Sequence, residues 1–237
     1  MEDQSTTLKD TAIDMTTAII GVGNIGSRIA RNLVRGGERV VLAARNQSRA
    51  DALASELGNL ARSATVPNAV SQANTIVLAV YLDAITKLIA DLSESLIGKV
   101  VIDPSNPVGL DGHGGLARTL PVGESSGSVV AHLLPPGTHY VKAFGTLEAE
   151  SLSSGANRQP KRAVLFYATD DAIAGAIAEK LIHASGFDAV KVGGVASAGR
   201  IEAIGGDLQQ LGLNGKLLNI DEARVAVGKM DSQGSAI

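Results

Sequence analysis

Thr16-Thr17-Ala18-Ile19-Ile20-Gly21-Val22-Gly23-Asn24-Ile25-Gly26-Ser27-Arg28-Ile29-Ala30-Arg31-Asn32-Leu33-Val34-Arg35 is the stretch whose reading decides the fold. Thr16–Ile20 is a short, apolar, β-favouring run with no polar break, as expected of a strand buried on both faces. It runs directly into a G-x-G-x-x-G. A helical stretch follows, with Ile25, Ile29 and Leu33 on one stripe and Arg28, Arg31 and Arg35 turned away. Gly36-Gly37 stops that helix, and Arg39–Ala43 is a second strand. The glycines have separate tasks: Gly21 permits a tight turn, Gly23 leaves the backbone open to a pyrophosphate, and Gly26 lets helix and strand pack closely. The unpaired N–H groups of the helix N-terminus then face the phosphate. A glycine turn alone is weak evidence. The strand before it, the helix after it and the second strand on schedule make Gly21, Val22, Gly23, Asn24, Ile25 and Gly26 a dinucleotide-binding turn.

The end of the second strand decides which dinucleotide is taken. A site specific for NAD places Asp or Glu there, to accept from the ribose 2′-hydroxyl. Here the window is Ala43-Ala44-Arg45-Asn46-Gln47-Ser48-Arg49, without an acid. Arg45 and Arg49 supply positive charge and forked donors suited to a 2′-phosphate, and Asn46 and Ser48 add neutral hydrogen bonds. NADP(H) is therefore expected. The bland alternative makes Arg49 a solvated residue on the first turn of the next helix.

Composition narrows the function classes. At 237 residues the chain suits one sizeable α/β core with a small appendage. A net charge of −3 argues against nucleic acid as partner, and no Lys/Arg block suggests an anionic membrane surface. No apolar run approaches the length of a membrane span. The chain has no cysteine, which excludes disulfides and thiolate metal sites. Its four histidines, His113, His132, His139 and His183, show no metal-ligand spacing. A metal-free, cytoplasmic protein is expected. Residues 1–14 look like a disordered leader rather than a signal peptide, and residues 231–237 like a frayed tail.

Between these ends the chain alternates strand and helix. Helix is expected over 48–57, strand over 63–66, a short helix over 67–73 and a central strand over Thr75–Val80, with Tyr81 at its carboxyl end. Helix then follows over 84–96 and strand over 100–102. This β-α-β-α-β-α-β order predicts an α/β fold, a Rossmann-like doubly wound parallel sheet over residues 15–194 with a small C-terminal helical extension over 195–230. Residues 108–127 are rich in Gly, Ser and Pro and read as a lid or an ordinary surface loop. Helix over 128–134, strand over 140–144, loop over 148–162, strand over 163–168, helix over 171–184 and strand over 189–192 complete the domain. A last helix over 196–211 is broken around Gly205-Gly206.

From Thr16 to about Leu211 the chain resembles the NADP-dependent oxidoreductases of the coenzyme F-420 (deazaflavin) reductase family, and equally the related cytoplasmic domain of the six-transmembrane metalloreductases. Gly21–Gly26 is similar to that family's phosphate loop. Ala44-Arg45-Asn46-Gln47-Ser48-Arg49 resembles its S-R-N-P-x-R segment, with Ala44 for Ser and Gln47 for Pro. Val101-Ile102-Asp103-Pro104-Ser105-Asn106-Pro107 resembles the strand and S-N-P element that approaches the nicotinamide. Tyr140-Val141-Lys142-Ala143-Phe144 resembles its V-V-K-A-F strand, followed here by Gly145 where Asn is common. Asn157-Arg158-Gln159, Ala168-Thr169-Asp170-Asp171 and Gly186-Phe187 resemble later segments.

The resemblance implies a nicotinamide lying near Ala79, Val80, Tyr81, Ser105, Asn106, Pro107 and Ala143, and hydride exchange between NADPH and a small-molecule acceptor, a deazaflavin such as coenzyme F-420 or a flavin such as FMN. Such transfer needs close stacking and excluded water but no obligatory proton relay. A carbonyl or imine acceptor would need a proton donor, with Lys142, Tyr81 and His132 the candidates, Lys142 and Tyr81 foremost. A lysine solvated at a strand edge is the competing reading of Lys142. His113 reads as solvated, and Asp103 as a cap for the next turn. A non-catalytic NADP(H) sensor is the third reading. A homodimer is expected through Gly212–Leu218.

Overall fold

The computed structural model describes residues 16–113 and 115–228; the expected leader and frayed tail lie outside these. The elements in chain order are β1 (Thr17–Ile20), α1 (Asn24–Arg35), β2 (Val40–Ala43), α2 (Gln47–Leu57), β3 (Ala61–Ser63), α3 (Val66–Gln72), β4 (Thr75–Leu78), α4 (Leu82–Leu96) and β5 (Val100–Asp103). A hairpin of β6 (Val108–Leu110) and β7 (Leu116–Arg118) follows. Then come α5 (Ser126–Leu133), β8 (His139–Ala143), α6 (Ala149–Ser154), β9 (Val164–Ala168), α7 (Ala172–Ala184), β10 (Asp188–Lys191), a 3₁₀ segment (Val195–Ile201) and α8 (Ile220–Gly228).

Eight strands form one sheet in the order β10-β9-β8-β5-β4-β1-β2-β3. The six from β3 to β8 are parallel, as expected of a doubly wound sheet. β9 runs antiparallel to β8, and β10 runs with β9, so the sheet is mostly parallel rather than wholly so. Alternating side chains of the β-strands feed two layers. Ile19, Leu42, Val77, Ile102 and Val141 meet α1, α2 and α7, while Ala18, Val41, Ile76 and Val101 meet α3, α4 and α5. Both faces are covered, so the central strands are mostly apolar, which is what made them readable, and Asp103 in β5 and Lys142 in β8 stand out as buried charges. Val164, Phe166 and Val190 on the outer strands pack against Ala198, Ile201, Leu208, Leu218 and Ala223. The C-terminal extension is thus the cover of that face.

Four expectations need correction. Residues 108–127 contain a hairpin, Val108 opposite Arg118, whose three-residue strands are too short to show periodicity. The span 148–162 holds α6, a Ser-rich turn and a half of helix anchored by buried Leu152 and by the Asn32 amide, which donates to the Leu152 carbonyl at 2.7 Å. The span 196–211 is 3₁₀ up to Ile201 and turns beyond it, where Gly205 and Gly206 favour turns over helix; the last helix is α8. The third strand is Ala61–Ser63, two residues earlier than read.

Candidate active site

The parallel register sets Ile20, Ala43 and Leu78 side by side at the carboxyl ends of β1, β2 and β4. The Gly21 N–H donates to the Ala43 carbonyl at 2.7 Å, and the Ala79 N–H to that of Ile20 at 2.8 Å. The glycine turn therefore sits between the arginine segment and the end of β4. Gly21 has φ +101° and a methyl there would lie 2.4 Å from the Ala79 carbonyl oxygen. A methyl on Gly26 would lie 1.9 Å from the Gly21 carbonyl oxygen, so this position closes helix on strand. Around Gly23 a methyl would meet nothing within 4 Å. That difference separates packing from access: Gly26 is filled by protein, and Gly23 faces open space at the head of α1. The α1 N-terminus has no side-chain cap and no acid in its first turn. Its amides are presented to an anion.

Arg45 and Arg49 are exposed at the head of α2, and among the described residues neither guanidinium has a hydrogen bond or ion pair with protein. Other arginines behave differently: Arg31 is held by Glu56 at 2.7 Å and Arg200 by Asp207 at 2.9 Å. Asn46 caps α2 without using its side chain, and Ser48 is exposed beside it. Ala44 is half-buried against the core. Gln47 donates to Asp51 Oδ1 at 2.9 Å, as Ser63 does at 2.6 Å. These bonds, that of Ser63 first, hold the Asp51 carboxyl below its ordinary value. Two unpaired guanidinium groups beside a glycine turn fit a 2′-phosphate and a pyrophosphate.

At the other half of the crevice, Ala79 and Val80 are half-buried and Tyr81 stands 54% exposed as the N-cap residue of α4. The hydroxyl of Tyr81 has no partner among the described residues. Pro107 is buried, and Ala143 is buried in the core. The side chains of Ser105 and Asn106, expected beside the nicotinamide, are committed elsewhere. The Asn106 amide donates to the Gly145 carbonyl at 3.1 Å and accepts from the Ala203 N–H at 2.6 Å. Ser105 Oγ turns inward to Lys142 Nζ at 3.3 Å.

Lys142 is not a solvated edge residue. β8 lies between β5 and β9, and the side chain is 2% exposed. Its ammonium donates to Asp103 Oδ2 at 3.0 Å, the Ser105 carbonyl at 2.5 Å and Ser126 Oγ at 2.8 Å, with Glu202 Oε1 at 3.4 Å. Three protons face these acceptors, so Lys142 is placed as a buried cation rather than as a donor turned to substrate. Asp103 does cap the turn, accepting from the Ser105 N–H at 2.8 Å, and it also accepts from the Tyr140 hydroxyl at 2.9 Å. Burial first, and then the Asp103 charge, push the Tyr140 hydroxyl well above its ordinary value. Glu202 accepts from the Ser126 N–H, the Ser126 hydroxyl and the Gly127 N–H at 3.0, 2.9 and 2.8 Å. Two carboxylates and one ammonium leave one net negative charge, which the N-terminus of α5 stabilises. Ser126 and Glu202 escaped the sequence reading. Glu202 lies 60 positions from Lys142, and its one local mark is an acid in the apolar run Ile201-Glu202-Ala203-Ile204.

His132 is exposed on the last turn of α5, at the far end of that helix from Ser126, and His113 is exposed in the hairpin turn. No cluster of three or more His, Cys, Asp or Glu suited to a metal occurs among the described residues.

Residues 16–107 match the model of the family described as NADP oxidoreductase, coenzyme F420-dependent. The chain is 32% identical over 186 residues to Metalloreductase STEAP3 of Rattus norvegicus, a match covering 78% of this chain and 35% of that protein; it thus spans about a third of that relative's length. It is 29% identical over 219 residues to the F420-dependent NADP reductase of Methanothermobacter thermautotrophicus, covering 86% of this chain and 92% of the relative. The crystal structure of the hypothetical protein SMa0349 from Sinorhizobium meliloti matches with a TM-score of 0.74 at 28% identity, over 86% of this chain and 95% of that one.

Proposed function

We propose that this chain, whose residues 16–107 match the family described as NADP oxidoreductase, coenzyme F420-dependent, is an enzyme that exchanges hydride between NADPH and a deazaflavin or flavin coenzyme. Gly21–Gly26 and the head of α1 hold the pyrophosphate, and Arg45 and Arg49 take the 2′-phosphate. The ends of β4 and β5 receive the nicotinamide, where Ala79 and Val80 offer an apolar floor and Asn106 holds the Ser105–Pro107 backbone against Gly145. Bound NADPH supplies the hydride.

One observation carries the choice of acceptor. The ionisable groups at the ends of β5 and β8 are sealed in a buried network, with Lys142, Asp103 and Glu202 at 1%, 0% and 1% exposure. A site whose charged groups support its walls suits transfer between two stacked rings, which requires orientation and excluded water. A second reading, reduction of a small carbonyl or imine, draws support from the exposed and unpartnered hydroxyl of Tyr81, a group able to donate a proton.

The test follows NADPH absorbance at 340 nm with a deazaflavin, FMN and a panel of carbonyls and imines. Oxidation with deazaflavin or FMN, retained in Tyr81→Phe, supports the first reading. Oxidation with carbonyls or imines alone, lost in Tyr81→Phe, replaces it with the second. NADPH binding without turnover on any acceptor overturns both in favour of a sensor. No helix among the described residues is long and apolar enough to cross a membrane, and we place the protein in the cytoplasm. A homodimer through Gly212–Leu218, beside exposed Leu211, completes the proposal and is read by sedimentation.

A further inference from the structure

Residues 202–206 belong to no helix or strand, yet the segment's own Glu202 side chain and two side chains from distant parts of the chain hold them. The Glu202 carboxylate is buried at the head of α5, on Ser126 and Gly127, with Lys142 at 3.4 Å. The Asn106 amide carbonyl takes the Ala203 N–H at 2.6 Å. Arg118, on the second strand of the hairpin, donates to the Ile204 carbonyl at 3.0 Å and to the carbonyls of Pro121 and Glu124. All its bonds go to backbone carbonyls, so it works as a staple between hairpin, loop and this turn. The Gly206 N–H closes the turn on the Glu202 carbonyl at 3.1 Å.

Within the turn, Ile204 has φ +60° although Gly205 is its neighbour. A β-branched residue takes that conformation only where its surroundings over-determine it. The side chain so presented is 40% exposed. Because Asn106 also grips Gly145, the turn is tied directly to the loop at the carboxyl ends of β5 and β8.

We propose that Glu202 and Arg118 are positioning residues that hold the Ala203–Gly205 turn as the acceptor-side wall of the crevice, with Ile204 as its apolar contact surface. The proposal rests on the reading of the crevice as a hydride-transfer site. Glu202 acts from the interior, through α5 and the lysine network; Arg118 acts from the surface, through the hairpin. Neither touches the dinucleotide half of the crevice, so their loss falls on the acceptor.

Glu202→Gln and Arg118→Ala test this, together with Arg118→Lys as the conservative variant. In both disruptive variants the acceptor KM is expected to rise about tenfold, the scale of a loosened apolar contact. The Kd of NADPH, read by its fluorescence, stays within about twofold, an energy change well under that of one hydrogen bond, and Arg118→Lys recovers part of the loss. Amide hydrogen exchange over 203–208 is expected to speed up in both. Acceptor kinetics unchanged in both variants, or NADPH affinity falling in parallel with acceptor affinity, overturns the proposal. Should the wild type oxidise NADPH with no acceptor, the hydride-transfer reading fails by itself. Exchange over 203–208 unchanged in both variants then overturns the wall independently.

Discussion

Replacing Lys142 by Met is the perturbation that most sharply distinguishes a buried structural cation from a catalytic one. Methionine nearly matches the lysine stem in length and fills the same core space, so the change is one of charge and hydrogen bonds. It strands Asp103 and Glu202, at 0% and 1% exposure, without the ammonium that lies 3.0 and 3.4 Å from them. The cluster goes from one net negative charge to two, and the Ser105 carbonyl and Ser126 hydroxyl each lose a donor. Removing one partner of a buried ion pair costs about 3–5 kcal/mol. In a domain of this size each kcal/mol moves the melting midpoint by about 2–4 °C, so the expected fall is about 6–20 °C. Asp103→Asn added to Lys142→Met restores one net negative charge and is expected to recover part of that loss, although each single variant is destabilised. Differential scanning calorimetry reads both, with steady-state turnover measured below the lowered midpoint. A midpoint within about 2 °C of wild type accompanied by abolished kcat would refute the reasoning, since a buried ion pair broken at one partner cannot be that cheap. It would return Lys142 to the role of proton donor.

Gly23→Ala and Gly26→Ala should part company. The first meets no protein atom within 4 Å, so calorimetry is expected to find wild-type stability while NADPH affinity falls; the second drives a methyl to 1.9 Å from the Gly21 carbonyl oxygen and lowers the midpoint as well. Arg45→Ala and Arg49→Ala are each expected to weaken NADPH binding by about 10-fold, the worth of a hydrogen bond to a charged group, and to leave NADH binding as it was. Titrations with both nucleotides check this, and equal losses for the two would remove the 2′-phosphate assignment. Asp171 caps α7 through the Ala174 N–H at 2.9 Å and meets His139 Nδ1 at 2.6 Å. Burial pushes its carboxyl up, but the Ala174 N–H and His139 outweigh that and hold it below the ordinary 3.8. A carboxyl lowered on folding contributes stability that is full above its unfolded pKa and is lost as pH falls through the folded one. Asp171→Ala is therefore expected to cost about 1 kcal/mol at pH 7 and to flatten the stability profile below pH 3.8; an unchanged acid limb would contradict this.

Residues 16–49 were legible because each of their requirements is local. Two glycines meet backbone where a side chain would collide, a third faces open space, and strand and helix periods switch within one stretch. The absence of an acid after β2 needed only the chain itself, and the unpaired state of Arg45 and Arg49 agrees with it. The parallel order of β1 to β5 was equally readable, since strands that alternate with helices cross over and return in the same direction. The antiparallel turn of β9 was not, for its run Ala163–Ala168 is as apolar as a parallel neighbour's, and direction leaves no trace in composition. Nor were α6 and the β6–β7 hairpin, whose three- to six-residue elements are too short to carry a period.

The sequence by itself determined the dinucleotide half of this protein, because a phosphate is bound by backbone, glycine and forked donors that lie side by side in the chain. Tertiary structure alone decided the other half. Lys142 carries the same letters whether it faces solvent, substrate or two buried carboxylates, and its state depends on Asp103, Ser126 and Glu202, which lie 39, 16 and 60 positions away. Charge in a low-dielectric interior is stabilised by whatever the fold brings within about 3–4 Å, and that distance is a property of packing rather than of sequence spacing.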